Sequence, residues 1–221
     1  MLLRHLQQQL ARIYDLACGY DVRDFLVTDR RELGRLPQTA PPRVCEEQLL
    51  VGSDADGLRL ALYIDAAVLA RLASDDPLQR LSASNLADFW TVLEGVSHFV
   101  YMSWCADRDR HVSQLELETQ AEVDKYVATL FLIGEQTAGR FPARLHRWLF
   151  EHTAFDWNLD ALELDRYRTA SAYAARYCRR LEERFLKRRS PALESFVREI
   201  RCFYRLGTAS KLRRIEVAAH A

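Results

Sequence analysis

The segment from Phe89 to Trp104 constrains the fold of this chain more than any other. It reads FWTVLEGVSHFVYMSW and contains only two side chains that can carry a charge near neutral pH, Glu94 and His98. A helix that is apolar around its whole circumference is typical of a buried position. The segment therefore predicts a central helix, and the spacing of four places Glu94 and His98 on one face of it.

Glu94 and His98 need polar partners in such a helix, because an unpaired buried charge is costly and tends to become neutral. The next amphipathic segment, SQLELETQAEVDKYV, carries Glu118 and Glu122 beside its apolar stripe. If the chain turns near Asp109 and the two helices pack antiparallel, these four side chains can converge between them.

This predicted cluster of Glu94, His98, Glu118 and Glu122 has three interpretations. Carboxylates and an imidazole on facing helices form a ligand set for a divalent metal such as iron, manganese or zinc. The Glu-x-x-x-His spacing, however, matches neither E-x-x-H nor H-E-x-x-H. The pattern favours a hydrogen-bonded polar network that fixes helix register, because buried polar groups are usually satisfied by their neighbours. Metal-free acid–base chemistry is the third alternative.

A β-hairpin is predicted near the N-terminus, in the stretch RVCEEQLLVGSDADGLRLALYID. Its second half alternates apolar residues at Leu58, Leu60, Leu62 and Ile64, the period of a strand, and an Asp/Gly-rich turn precedes it. A hairpin alone is marginally stable, so it must pack on helices or add the segment DFLVTD as a third strand. From Asp65 onward, the periodicity and the capping residues, among them Ser113 with Glu116 three residues later, predict only helices.

Apolar periodicity also predicts an amphipathic helix at the N-terminus, from about residue 2 to about residue 18, where Gly19 ends it.

The fold class predicted from these patterns is α+β and mainly α-helical. A small N-terminal layer of two or three antiparallel strands packs on an antiparallel helical bundle. Residues 1–75 form the helix-plus-hairpin layer and residues 76–221 the bundle, together one compact unit. The N-terminus lacks the pattern of a signal peptide, no apolar run has membrane-spanning length, and the five cysteines are scattered. A cytoplasmic protein with no membrane partner is expected.

Charge is distributed unevenly along the chain. Residues 1–165 contain 16 basic and 26 acidic residues, whereas residues 166–221 contain 15 basic and 5 acidic ones. The basic C-terminal helices predict an anionic partner. Their repeated arginines can bind phosphates, and the tyrosines between them can stack on bases. Alternatively, the basic C-terminal region is a hydrated surface without a partner, or it packs against the acidic residues 1–165. The candidate anion-binding residues are Arg176, Arg180, Arg184, Arg188, Arg201 and Arg205.

Two functions follow from these sites. The first is a cytoplasmic binding or adaptor protein whose basic C-terminal helices engage an anionic partner, either nucleic acid or an acidic protein. The second is a metal-dependent or acid–base enzyme built on Glu94, His98, Glu118 and Glu122. No nucleophile or nucleotide-binding motif favours another enzyme class. The sequence leaves homo-oligomerisation open.

Overall fold

The structure is a computed structural model, and it describes residues 1–34, 45–54, 57–151, 160–187 and 192–216. Two compact units are distinguished. The first comprises Met1–Ala11 with Ala17–Arg110, and the second comprises Arg12–Leu16 with His111–Ala221. The sequence-based division at residues 75 and 76 concerns secondary-structure content and stays a prediction.

The elements of the first unit follow one another from the N-terminus to residue 110. They are most of α1 (Leu2–Tyr14), a 3-10 turn (Val22–Phe25), β1 (Leu26–Val27), α2 (Arg30–Leu33), β2 (Glu47–Asp54), β3 (Gly57–Ile64), α3 (Ala66–Ser74) and α4 (Leu86–Ala106).

The sheet has the strand order β1-β3-β2. The predicted hairpin is confirmed, since β2 and β3 pair antiparallel, with Leu49 opposite Leu62. The segment DFLVTD supplies the third strand, but β1 pairs parallel to β3, with Leu26 opposite Leu62. The sheet is therefore mixed rather than purely antiparallel. A parallel neighbour is possible here because β1 reaches β3 through the intervening α2 and β2 instead of through a tight turn.

Both faces of the sheet are covered by helices. The apolar helix α4 packs against β2, β3 and α3. On the opposite face, Leu50 and Tyr63 form a small core with Leu33 of α2. The end of β3 is buried through Leu62, Tyr63 and Ile64, which explains why both its odd and even positions are apolar.

The second unit contains the last turn of α1 and the C-terminal helices. These are α5 (Gln114–Gln136), α6 (Leu145–Phe150), α7 (Ala161–Leu181), a π-helical turn (Glu182–Leu186), α8 (Leu193–Arg205) and α9 (Thr208–Glu216). Helix α5 packs against α7, and it begins at the predicted cap, where Ser113 Oγ accepts a hydrogen bond from Glu116 N at 3.2 Å.

The structure confirms the predicted α+β, mainly α-helical class. None of the helices within the described ranges combines the length and apolar character needed to cross a membrane.

Candidate metal centre

Glu47, Glu94 and His98 meet in the first unit. Each offers one ligand atom, and these atoms all lie within 4.8 Å of one another. His98 Nδ1 lies 3.4 Å from Glu47 Oε1, and the side chains of His98 and Glu47 are only 6% and 10% exposed. Because so little water reaches these groups, their electrostatic interactions with each other or with an ion are weakly screened.

Strand alternation directs Glu47 toward α4. Glu47 lies opposite Ile64, and Leu49 lies opposite Leu62. Residues two apart in a strand share a face, so Glu47 occupies a position on the face that carries Leu62 and Ile64. An acidic side chain at a core-facing position requires polar partners, and Glu94 and His98 of α4 lie beside it.

Helical spacing places Glu94 and His98 one turn apart on α4, as predicted. Gly95 lies between them, and its bare backbone is in close contact with the strand. A Cβ atom at Gly95 would lie 2.7 Å from Glu47 Cγ and 2.9 Å from Leu62 Cδ1. Because Gly95 has no Cβ atom, the helix backbone can lie directly against the side chain of Glu47. This close approach brings the carboxylate of Glu47 to Glu94 and His98.

Arg71 of α3 ties the start of β2 to the start of α4. Its guanidinium donates two hydrogen bonds of 2.7 Å to the carboxylate of Asp88 and one of 3.2 Å to Glu46. The hydrogen bonds to Asp88 are the main reason that the pKa of Arg71 is raised. Glu46 directly precedes Glu47, so this exposed bridge joins the residue before β2 to the first turn of α4.

Two carboxylates and one imidazole are a ligand set that suits zinc, manganese and iron. Three protein ligands leave open coordination positions, the arrangement of catalytic rather than structural zinc sites. The hydrogen-bonded network predicted for Glu94 and His98 stays a prediction. His98 contacts Glu47 of the strand.

The sequence-based cluster included Glu118 and Glu122, and both belong to the second unit. Glu118 is buried on α5. Glu122 forms an ion pair with Lys125, with 2.5 Å between Oε1 of the glutamate and Nζ of the lysine. The four-residue cluster stays a prediction. The group that the described residues bring together pairs Glu94 and His98 with Glu47, a residue that the sequence analysis placed in the hairpin without assigning it to a site.

A separate polar network lies inside the second unit. Asp124 Oδ1 accepts hydrogen bonds from the hydroxyl of Tyr14 at 2.5 Å and from Gln120 Nε2 at 2.7 Å. Gln120 in turn accepts a hydrogen bond from the ammonium of Lys211, which lies 5.0 Å from the centre of the Phe203 ring. Burial, and then the charge of Asp124, raise the pKa of Tyr14 well above its usual value. The amide of Gln120 thus links a buried cation to a buried anion.

The arginines predicted to bind anions have different environments. Arg176 and Arg184 are exposed, and each lies near an aromatic ring, that of Tyr173 at 5.5 Å and that of Phe185 at 5.2 Å. Arg180 donates to the carbonyl of residue 214 at 2.6 Å, and partial burial lowers its pKa. Arg188 lies outside the described residues.

Arg201 and Arg205 bind the C-terminal end of α1. Arg201 donates to the carbonyl oxygens of Arg12 and Ile13 at 2.9 and 2.8 Å. Arg205 donates to those of Tyr14 and Asp15 at 3.0 and 3.2 Å. Carbonyls at a helix C-terminus lack partners within the helix and carry partial negative charge, so these two guanidinium groups complement them.

The helix that these arginines cap ends earlier than its sequence suggests. Apolar periodicity and Gly19 predict a helix to about residue 18, but α1 ends at Tyr14 and Asp15 has a φ of 56°. Asp is among the residues that tolerate this left-handed conformation. The arginine contacts therefore replace the terminating glycine that the sequence analysis expected.

No family model, no curated protein and no solved structure matches this chain.

Proposed function

We propose that this chain binds a single divalent transition-metal ion through Glu47, Glu94 and His98. The observation that carries the proposal is the grouping of their ligand atoms within 4.8 Å across a strand and a helix. The mixed oxygen and nitrogen donors favour zinc, manganese or iron over calcium, which prefers an all-oxygen shell.

The chemistry of such a centre follows from its ligands. Two carboxylates neutralise the charge of a divalent ion, and the open positions leave room for a substrate oxygen or for water. Ions of this class then supply Lewis acidity. Within the chain, the buried side chains of His98 and Glu47 hold the centre in a weakly hydrated position. The proposed function is therefore that of a metal-dependent protein suited to Lewis-acid catalysis.

Titration calorimetry of metal-stripped protein with zinc, manganese and ferrous iron tests this proposal. We expect one of these ions to bind with a stoichiometry of about one per chain, as a single ligand group requires. The variant Glu47→Gln should lose more than about 100-fold in affinity, since changes to groups that merely support a ligand cost roughly 10- to 100-fold.

The neighbouring residue provides the matched control. Glu46→Gln removes the same charge one position earlier, from a side chain that contacts Arg71 instead of the centre. It should bind the ion as the native protein does. Failure of all three ions to bind the native chain, or an equal loss in both variants, would overturn the proposal.

An anion-binding face is a second candidate function. It is supported by the exposure of Arg176 and Arg184, whose guanidinium groups can bind phosphates, and by the half-buried ring of Tyr173 beside Arg176, on which a base can stack. The partner would be nucleic acid or an acidic protein. This face excludes Arg201 and Arg205, since they bind α1.

Retention on a heparin column tests the anion-binding face. The double variant Arg176→Glu/Arg184→Glu should elute at markedly lower salt than the native chain, because fewer counterions are released on binding. The double variant Arg144→Glu/Arg147→Glu changes two exposed arginines near α6 and serves as the charge-matched control. Equal shifts in both, or no retention of the native chain, would reject this function.

A further inference from the structure

We infer that Gly95 is a positioning residue for the metal centre, a role that rests on the proposed function. Its missing side chain leaves the space that Glu47 occupies, and it thereby sets how near the strand carboxylate comes to Glu94 and His98. Gly95 is thus a fourth determinant of the centre, and it donates no ligand atom.

The geometry around Gly95 leaves no room for a methyl group. A Cβ atom there would lie 2.7 Å from Glu47 Cγ, 3.0 Å from Glu47 Oε1 and 2.9 Å from Leu62 Cδ1. Carbon atoms in van der Waals contact are about 3.5 to 4.0 Å apart. An alanine at position 95 therefore has to displace the side chain of Glu47, that of Leu62, or both.

Glu47 is the side chain that can give way. Leu62 is fully buried in the sheet, where close packing resists displacement. Glu47 is a longer side chain at the start of β2, and its carboxylate can rotate about three bonds. Displacement by a group on α4 moves Glu47 away from that helix, which is the element that carries the other two ligands.

Glycine is also an unfavourable residue in the middle of a helix. Gly95 lies well inside the 21-residue helix α4, so helix formation alone would favour alanine there. The same chain offers a contrast in α5, where, among the described residues, a Cβ atom at Gly134 would meet only Phe141 Cε1, at an ordinary 3.8 Å. Close approach of a neighbouring side chain is thus a property of Gly95 that Gly134 does not share.

Titration with Co²⁺, followed by its visible absorption, tests this role because the absorption depends on the ligands around the ion. We expect Gly95→Ala to bind Co²⁺ roughly 10- to 100-fold more weakly than the native chain, with an altered spectrum. Gly134→Ala is the matched control and should keep both the affinity and the spectrum.

A second variant separates positioning from general disruption of the core. Gly95→Ala/Leu62→Val removes the leucine Cδ1 atom from the contact but leaves the conflict with Glu47. It should fold, as judged by circular dichroism, and still bind Co²⁺ weakly with the altered spectrum. Leu62→Val alone should bind like the native chain.

The outcomes distinguish this inference from the proposed function. If the native chain binds Co²⁺ and the folded double variant binds it with native affinity and spectrum, Gly95 has no positioning role and the metal centre stands. If Leu62→Val alone reproduces the loss, the effect comes from Leu62 and the inference is again rejected. If the native chain fails to bind Co²⁺, zinc, manganese and iron, both the metal centre and the role of Gly95 are rejected.

Discussion

The Nδ1 atom of His98 lies 3.4 Å from Oε1 of Glu47, although 51 positions separate the two residues in the chain. The contact joins the first strand of the hairpin to the central helix α4. Since both side chains are almost fully buried, their electrostatic interaction is weakly screened, and a change in the charge of one alters the environment of the other.

Replacing His98 should abolish the stabilisation of the folded chain by added metal. An ion that binds only the folded chain stabilises it by about 2.7 kcal/mol at 100 times its dissociation constant. We expect zinc to raise the melting temperature of the native chain and to leave that of His98→Ala unchanged, as measured by differential scanning fluorimetry. His111→Ala removes an exposed imidazole and should respond to zinc like the native chain. An undiminished response in His98→Ala would contradict the ligand assignment.

Removing the hydroxyl of Tyr14 should destabilise the second unit. The variant Tyr14→Phe takes away a donor from the buried carboxylate of Asp124. Loss of one partner of a buried hydrogen bond costs about 1 to 3 kcal/mol. Urea unfolding measures the change, and Tyr20→Phe, which alters a half-exposed tyrosine, should stay within about 0.5 kcal/mol of the native chain. Equal effects of the two variants would argue against a special role of this hydrogen bond.

Stability should fall as the pH rises above 10. The pKa of Tyr14 in the folded chain is raised above its usual value of 10.0 by burial and by Asp124. The unfolded chain therefore releases this proton first, and the contribution to stability is complete below pH 10 and decreases above it. Burial raises the pKa of Tyr126 and Tyr177 in the same direction.

Tyr14→Phe should reduce this alkaline dependence without abolishing it, because the other two tyrosines remain. The measurement is the free energy of unfolding in urea at several pH values from about 9 to 11. A slope as steep as that of the native chain would show that Tyr14 does not titrate differently on folding.

Loss of the guanidinium of Arg205 should weaken the end of α1. Arg205→Met keeps much of the aliphatic length but removes the donors to the carbonyls of Tyr14 and Asp15. Because the site is partly exposed, we expect a loss of about 1 kcal/mol in urea unfolding. Arg198→Met, on the exposed side of the same helix, should change stability by less than about 0.5 kcal/mol. A loss in Arg198→Met as large as that in Arg205→Met would contradict the capping role.

The sequence predicted those elements whose determinants are local. The hairpin, the central helix and the cap at Ser113 follow from periodicity and from side chains within a few residues of each other. Glu47 could also have been found. The pairing of Asp54 with Gly57 fixes that of Glu47 with Ile64, and the alternation already placed Ile64 on the core-facing side of its strand.

The neighbours of α4 could not be predicted in the same way. An apolar surface specifies burial but does not specify which other apolar surface covers it. Short connections favour antiparallel neighbours, so the sequence predicts the next helix as a neighbour of α4, and that pairing stays a prediction. Within the first unit, α4 packs on the sheet. The sequence therefore indicates Glu118 and Glu122, downstream of α4, as partners of Glu94 and His98. The structure adds Glu47, a carboxylate upstream of α4, within 4.8 Å of both.

The antiparallel pairing of β2 with β3 makes the proposed metal centre dependent on strand alignment. A shift of one residue in a hairpin moves every side chain of the shifted strand to the opposite face. In the native alignment Glu47 lies opposite Ile64 and faces α4, whereas a misaligned hairpin would present Gln48 there. A molecule that closes its hairpin in the wrong alignment loses an acidic ligand, so an ion present during refolding would select correctly aligned molecules over their misfolded competitors.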